Sequence, residues 1–184
     1  MPIALHSISI QMYLSAFSTL QHLLAKAQSS PTSDTLPQAR LAPDMIPLSK
    51  QITKASNIAK AATYQVLGPD SRHGPAPVWA DEESTLEDLI ARCDKTIALL
   101  KSITPEDLEG KEDENVETVL GNGKVVRSDG KGITLGMGVP NVMFHVGIAY
   151  AILRAEGVPI GKGDYLGGFV GALNVEVPEG GVKY

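Results

Sequence analysis

The stretch from Lys131 to Glu156, KGITLGMGVPNVMFHVGIAYAILRAE, restricts the fold of this chain more than any other. It has the length of a helix and is apolar on nearly every side, and such a helix is stable in water only when other elements surround it. Gly157 and Pro159 supply its stop, and Pro140 marks where it would kink. Two polar residues interrupt the apolar pattern. Asn141 and His145 stand one turn apart, about 40° around the axis, while Tyr150 and Arg154 fall roughly opposite them. The rest of the chain must supply helices to cover this one, and the fold must give an amide and an imidazole a reason to sit on it.

The covering helices are legible from periodicity. Ile10, Leu14, Phe17, Leu20 and Leu24 form one apolar stripe within a helix expected over residues 5–28. After the loop SSPTSDTLPQAR, a second helix is expected over 44–67. Asp44 would be its N-cap, Pro47 would lie in its first turn, and Gly68 with Pro69 would end it. Its Leu48, Ile52, Ala55, Ala59, Ala62 and Val66 alternate in steps of four and three, the seam of a helix bundle. Ser84 and Glu87 have capping-box spacing at the head of a third helix, 84–102, with Leu86, Leu89, Cys93, Ile97 and Leu100 as its seam. NVETVLGNGKVVRSDG then has two β-prone runs around Gly121, Asn122 and Gly123, a hairpin pattern. The fourth helix is expected over 131–156. The prediction is an all-α four-helix bundle with a small β-hairpin between helices three and four. Residues 1–167 form the single domain, and 168–184, without helical period, form a surface-packed or disordered tail.

Composition removes several function classes. A net charge of −5 with no basic cluster argues against a nucleic-acid partner. The single cysteine, Cys93, falls on a helix seam, so it is expected to be a buried, inert thiol in a reducing, cytoplasmic setting. The N-terminal segment lacks the basic residues of a targeting signal and is too often interrupted by polar residues to span a membrane, so no membrane partner is expected. GVPIGKG places Gly163 where a phosphate loop needs Ser or Thr, and the chain has no GxSxG elbow and no HExxH zinc helix.

What remains is a set of polar residues with two readings each. His145 is either a hydrogen-bonded core histidine or a proton-transfer group, since imidazole alone titrates near neutrality. Asn141 either orients a substrate or caps the helix resuming after Pro140. Arg40 and Asp44 are a loop ion pair or a clamp for an anionic group. Lys162 and Asp164, in GKGDY, pin the tail in a turn or line a site, and Tyr150 lies on the opposite stripe of the last helix. Trp79, in a Pro-rich loop, covers a cleft or fills the edge of the bundle.

The stretches ARLAPDMIPLSKQI and VPNVMFHVGIAYAILRAEGVPIGKGDYLG resemble the DUF1993 family, a branch of the DinB/YfiT-like bundles, and the resemblance covers about residues 5–167. It implies a four-helix bundle, often dimeric. The wider superfamily includes metal-dependent thiol transferases and isomerases, whose metal is held by histidines of helices two and four. This chain departs from that pattern. One turn after His145 stands Ala149, one turn before it stands Asn141, and helix two offers Asn57 as its inward polar residue, with no histidine between His22 and His73. One imidazole with amides is a poor divalent site, so neither metal nor other cofactor is expected. The expected function is a metal-independent enzyme of the isomerase, lyase or cyclase type, with a small-molecule pocket between helices. His145 would transfer the proton, Asn141 would assist, and Arg40, Asp44, Asn57, Tyr150, Lys162 and Asp164 would contact the substrate. The alternatives are a metal-dependent thiol transferase and a non-catalytic dimeric binding protein. A homodimer is expected, because one chain offers too little to cover helix four and its Gly136, Gly138 and Gly147 permit close approach.

Overall fold

The computed structural model describes residues 3–119 and 123–171. The expected first helix is two pieces, α1 (Leu5–Ile8) and α2 (Ile10–Ala27). The break falls at Ser9, whose backbone leaves the helical region (φ −118°, ψ −81°) while its hydroxyl donates to Leu5 O at 2.7 Å. A side chain bonding back to the preceding turn competes with the backbone ladder, which a hydrophobic pattern alone does not reveal.

The second helix, α3 (Leu48–Leu67), starts four residues later than expected. Pro47 is its cap and Asp44 lies exposed in the preceding loop, so Asp44 is not the N-cap. The reason is steric: a residue before proline is pushed out of the helical region, so Ile46 cannot belong to the first turn. At the far end Gly68 adopts φ +79°, the left-handed conformation that only glycine takes cheaply. α4 (Leu86–Lys101) begins with a capping box made by Thr85 and Asp88, one residue beyond the expected Ser84 and Glu87. Asp88 N donates to Thr85 Oγ1 at 3.1 Å and Thr85 N to Asp88 Oδ2 at 2.9 Å. Cys93 is fully buried in the α4 seam, and burial pushes its thiol well above the ordinary range.

A short α5 (Pro105–Leu108) leads into the hairpin, β1 (Asn115–Val119) paired antiparallel with β2 (Val125–Asp129) from Asn115↔Asp129 to Val119↔Val125. Residues 120–122, in the expected turn, lie outside the described residues. Val116 and Thr118 are the buried positions of β1, and Gln65 of α3 donates to Thr118 Oγ1.

The fourth helix runs without interruption as α6 (Gly130–Ile133), a π-turn (Thr134–Gly138) and α7 (Val139–Ala155). Instead of a sharp kink at Pro140, the wider π-turn lies just before it and takes up the missing proline N–H and the crowding of its ring. Val142, Val146, Ala149, Ile152 and Leu153 are fully buried. The four long helices form a ring in the order α2, α4, α3, α7, each packed on its two neighbours.

The chain then forms α8 (Lys162–Val170), which the sequence pattern missed and which crosses the expected boundary at 167. Four glycines among residues 161–168 weaken helical propensity. The helix exists because it docks on α2: Thr19 Oγ1 donates to Tyr165 O at 3.0 Å, and Gly168 lies so close to Ser15 and Thr19 that a side chain there would collide. The remainder of the expected tail, 172–184, lies outside the described residues.

Candidate functional site

His145 sits on α7 facing α3, half-buried, and its Nδ1 lies 2.7 Å from Gln51 Oε1. Gln51 is itself buried, and its Nε2 donates to the carbonyl of Ile46 at 3.2 Å. That second bond decides the first. With its amide nitrogen committed to a carbonyl, Gln51 presents its oxygen to the imidazole, so Nδ1 must carry the proton and Nε2 must carry the lone pair. Nε2 has no partner among the described residues. Burial, and then the nearby Lys54 charge, push the imidazole below its ordinary pKa, so it is neutral at physiological pH. The geometry therefore presents a fixed imidazole with an available base nitrogen. Phe144 stands edge-on to the ring at 5.3 Å and is 55% exposed, so an apolar surface adjoins the imidazole.

The other expected site residues do not converge on His145. Asn141 is exposed one turn before it, and has no hydrogen-bond partner among the described residues. Arg40 donates to Met45 O rather than pairing with Asp44, and both are exposed. Tyr150 is on the far side of α7, edge-on to Tyr165 of α8 at 5.7 Å. Asp164 receives Gly161 N at 2.7 Å, His22 at 2.8 Å and Lys26 at 2.9 Å, which holds α8 to α2 and keeps its carboxyl well below the usual range. Lys162 is exposed in the first turn of α8. Gln51 was missed, although it lies three residues after Leu48 and four before Ala55 and so shares their face.

Asn57 belongs to a second polar centre, between α3, α4 and the loop that joins them. Arg92, with only 2% of its side chain exposed, commits all five N–H donors: Ser56 Oγ (2.8 Å), Ala80 O (2.9 Å), Glu83 Oε1 (2.6 Å), Asn57 Oδ1 (2.7 Å) and Asp81 Oδ1 (3.2 Å). Above it lies Trp79, with Lys60 Nζ 4.4 Å and Lys95 Nζ 4.6 Å from its ring centroid. Trp79 thus lines a cleft, of about 330 Å³, with Glu82, Glu83, Asp88, Arg92 and Lys95.

The metal that the superfamily resemblance implies does not fit these residues. His145 is the sole histidine on α3 or α7, its nearest polar neighbour is an amide, and among the described residues no three His, Cys, Asp or Glu side chains are grouped to hold an ion. A borderline divalent cation needs more N, O or S donors than one imidazole.

Comparison with known proteins agrees with this architecture. A family profile described as a domain of unknown function (DUF1993) matches residues 5–166. The fold is similar to the crystal structure of a DinB family member protein from Shewanella denitrificans, with TM-score 0.80 and 27% identity, covering 95% of this chain and 96% of that one. No curated protein matches the chain significantly.

Proposed function

The chain belongs to the DUF1993 family of DinB-like four-helix bundles, and from that premise we propose that it is a metal-independent enzyme that moves a proton on a small molecule, with His145 as general base. The observation that carries this reading is the Gln51–His145–Nε2 arrangement: an imidazole fixed in one tautomer, neutral, with its lone pair unpartnered among the described residues. A core histidine kept for packing has no need of such fixing, whereas proton abstraction requires it, since a base must be deprotonated and aimed. Isomerisation, elimination and cyclisation all begin with such a step. Asn141, exposed one turn before His145 on the same helix, is the residue we assign to orient the substrate.

His145 is only half-buried on the single chain, and proton transfer gains from excluding water. We assign that closure to a second copy. The run Gly130–Ala155 has mean hydropathy 1.4 over its most apolar window, yet only 28% of that window is buried, and Leu135 and Phe144 are 53% and 55% exposed. By length and composition it also passes as a membrane span, but its fully buried Val142, Val146, Ala149 and Ile152 are committed to the bundle core.

The test is deuterium exchange. The purified protein is incubated with a metabolite extract in D₂O, and mass spectrometry seeks a compound that gains deuterium at carbon. His145→Gln should reduce that gain by about 10²- to 10⁴-fold while leaving the fold intact. If no compound exchanges in a His145-dependent way, the reading fails.

A further inference from the structure

Two contacts set the register between α3 and α7. Gln51 meets His145, and Ala62 lies against the backbone of Gly138, where the fourth helix enters α7. Residue numbers rise along α3 as they fall along α7, so the two helices run antiparallel. One turn from the first contact toward the second leads to Lys54 on α3 and to Asn141 on α7. These two therefore stand at the same level beside the imidazole, and both are exposed. Neither has a hydrogen-bond or carboxylate partner among the described residues. The other lysines of α3 are engaged: Lys50 donates to Asp81 O, and Lys60 stands over Trp79. Residues 45–69 and 130–155 contain no Asp or Glu, although the chain has 21, so no carboxylate on α3 or α7 can neutralise Lys54. Lys54 is also the charge that, after burial, weakens the hold of His145 on a proton.

We infer that the substrate of the His145 site carries an anionic oxygen group, a carboxylate or a phosphate, which Lys54 binds with Asn141 donating a second hydrogen bond. The inference rests on His145 as the base. The ammonium and the amide N–H donate to the anionic oxygens, while the lone pair of Nε2 takes a proton from elsewhere on the same molecule. Phe144 offers the apolar surface for its carbon part. A neutral substrate leaves the ammonium without a counter-charge, and a cationic one is repelled by it. An anion serves the chemistry as well: its charge offsets the field of Lys54, so the imidazole becomes a stronger base once the substrate is bound.

The test follows the four histidine rings of the full chain by NMR, with the His145 signals assigned from the spectrum of His145→Gln. The chain is titrated with inorganic phosphate, with sodium acetate and with glycerol at constant ionic strength. At least one anion should move the His145 signals saturably, with a midpoint below about 50 mM, and raise its pKa, while His6, His22 and His73 stay in place. The anion that binds more tightly identifies the group. Lys54→Met, at an exposed position, should weaken the response about tenfold or more, and Lys54→Arg, which keeps the charge, should retain it. The inference is overturned if neither anion moves His145, if glycerol reproduces the response, or if Lys54→Met responds as the natural chain does. Its failure is distinct from failure of the base reading. Deuterium exchange that needs His145 but survives Lys54→Met overturns this inference and leaves the base standing; Lys54-dependent anion binding with no exchanging compound leaves the anion site standing and removes the base.

Discussion

The hydroxyl of Tyr13, on α2, occupies the space that a side chain at Gly138 would need, and it does so buried and without a hydrogen-bond partner among the described residues. A methyl group at 138 would also meet Ala62 of α3. Gly138 closes the π-turn, so the passage of the fourth helix past α2 and α3 depends on this one missing side chain. Gly138→Ala should lower stability by about 1–3 kcal/mol in urea denaturation, as overpacking does. Tyr13→Phe should be neutral or stabilising, because it removes a polar group that bonds to nothing.

The depressed pKa of His145 has a sign that can be measured. Above the unfolded-state value of about 6.5, both folded and unfolded chains hold a neutral imidazole and the residue costs nothing. As pH falls from there toward the lower folded value, the unfolded chain takes up the proton first, so the folded state loses stability. The natural chain should therefore lose stability relative to His145→Gln across that window, measured by chemical denaturation at a series of pH values. Gln51→Glu, which sets a carboxylate beside Nδ1, should raise the imidazole pKa by about one unit or more in an NMR titration.

Asp107 behaves in the opposite sense. Its carboxylate accepts from Arg72, at 2.5 and 2.8 Å, and from His73, Thr104 N and Thr104 Oγ1. Chiefly through Arg72, these bonds hold it far below the usual carboxylate range, against some burial. The stability it contributes is present above the unfolded value of about 3.9 and is lost as pH falls through the folded one. Asp107→Asn should cost about 1 kcal/mol at neutral pH, the scale of a cap joined to an exposed ion pair, and the difference should shrink as pH falls below about 3.9. Thermal melts at pH 7 and pH 2 make the comparison.

Phe144 decides the proposed association. Light scattering at micromolar concentration should give twice the chain mass, and Phe144→Glu should give the monomer with an unchanged far-UV spectrum. Single-chain mass for the natural protein would remove the second copy from the proposed site.

Gly168 decides whether α8 stays docked. Gly168→Val should drive the helix off Ser15 and Thr19 and speed hydrogen exchange in residues 162–170, while the four-helix ring keeps its protection.

The long helices were legible in the sequence because each carries an apolar stripe that only one period explains: Leu48 through Val66, Leu86 through Leu100. Their starts were less so. At Pro47 the restriction on the preceding residue outweighed the capping tendency of Asp44, and at Ser84–Thr85 two adjacent hydroxyl residues offered equivalent boxes. α8 was hidden because its stability comes from contact with α2 and not from its own glycine-rich sequence. His145 is a candidate in the sequence because it stands isolated on an apolar helix, but the partner that fixes its tautomer, Gln51, lies 94 residues away and only folding brings them together. Asn57 was assigned to the wrong centre for a related reason: its direction along α3 is set by Arg92, on another helix.

The fivefold commitment of Arg92 also bears on the segment between Gly68 and Thr85, which contains no helix or strand. Peeling that segment away would strand a guanidinium inside the bundle without Ala80, Asp81 and Glu83, so it cannot detach as an independent unit at low energy. A stretch composed like a linker is thereby fastened to the core at one place, the carbonyl of Ala80 and the carboxylates of Asp81 and Glu83, while the residues before it stay open to solvent.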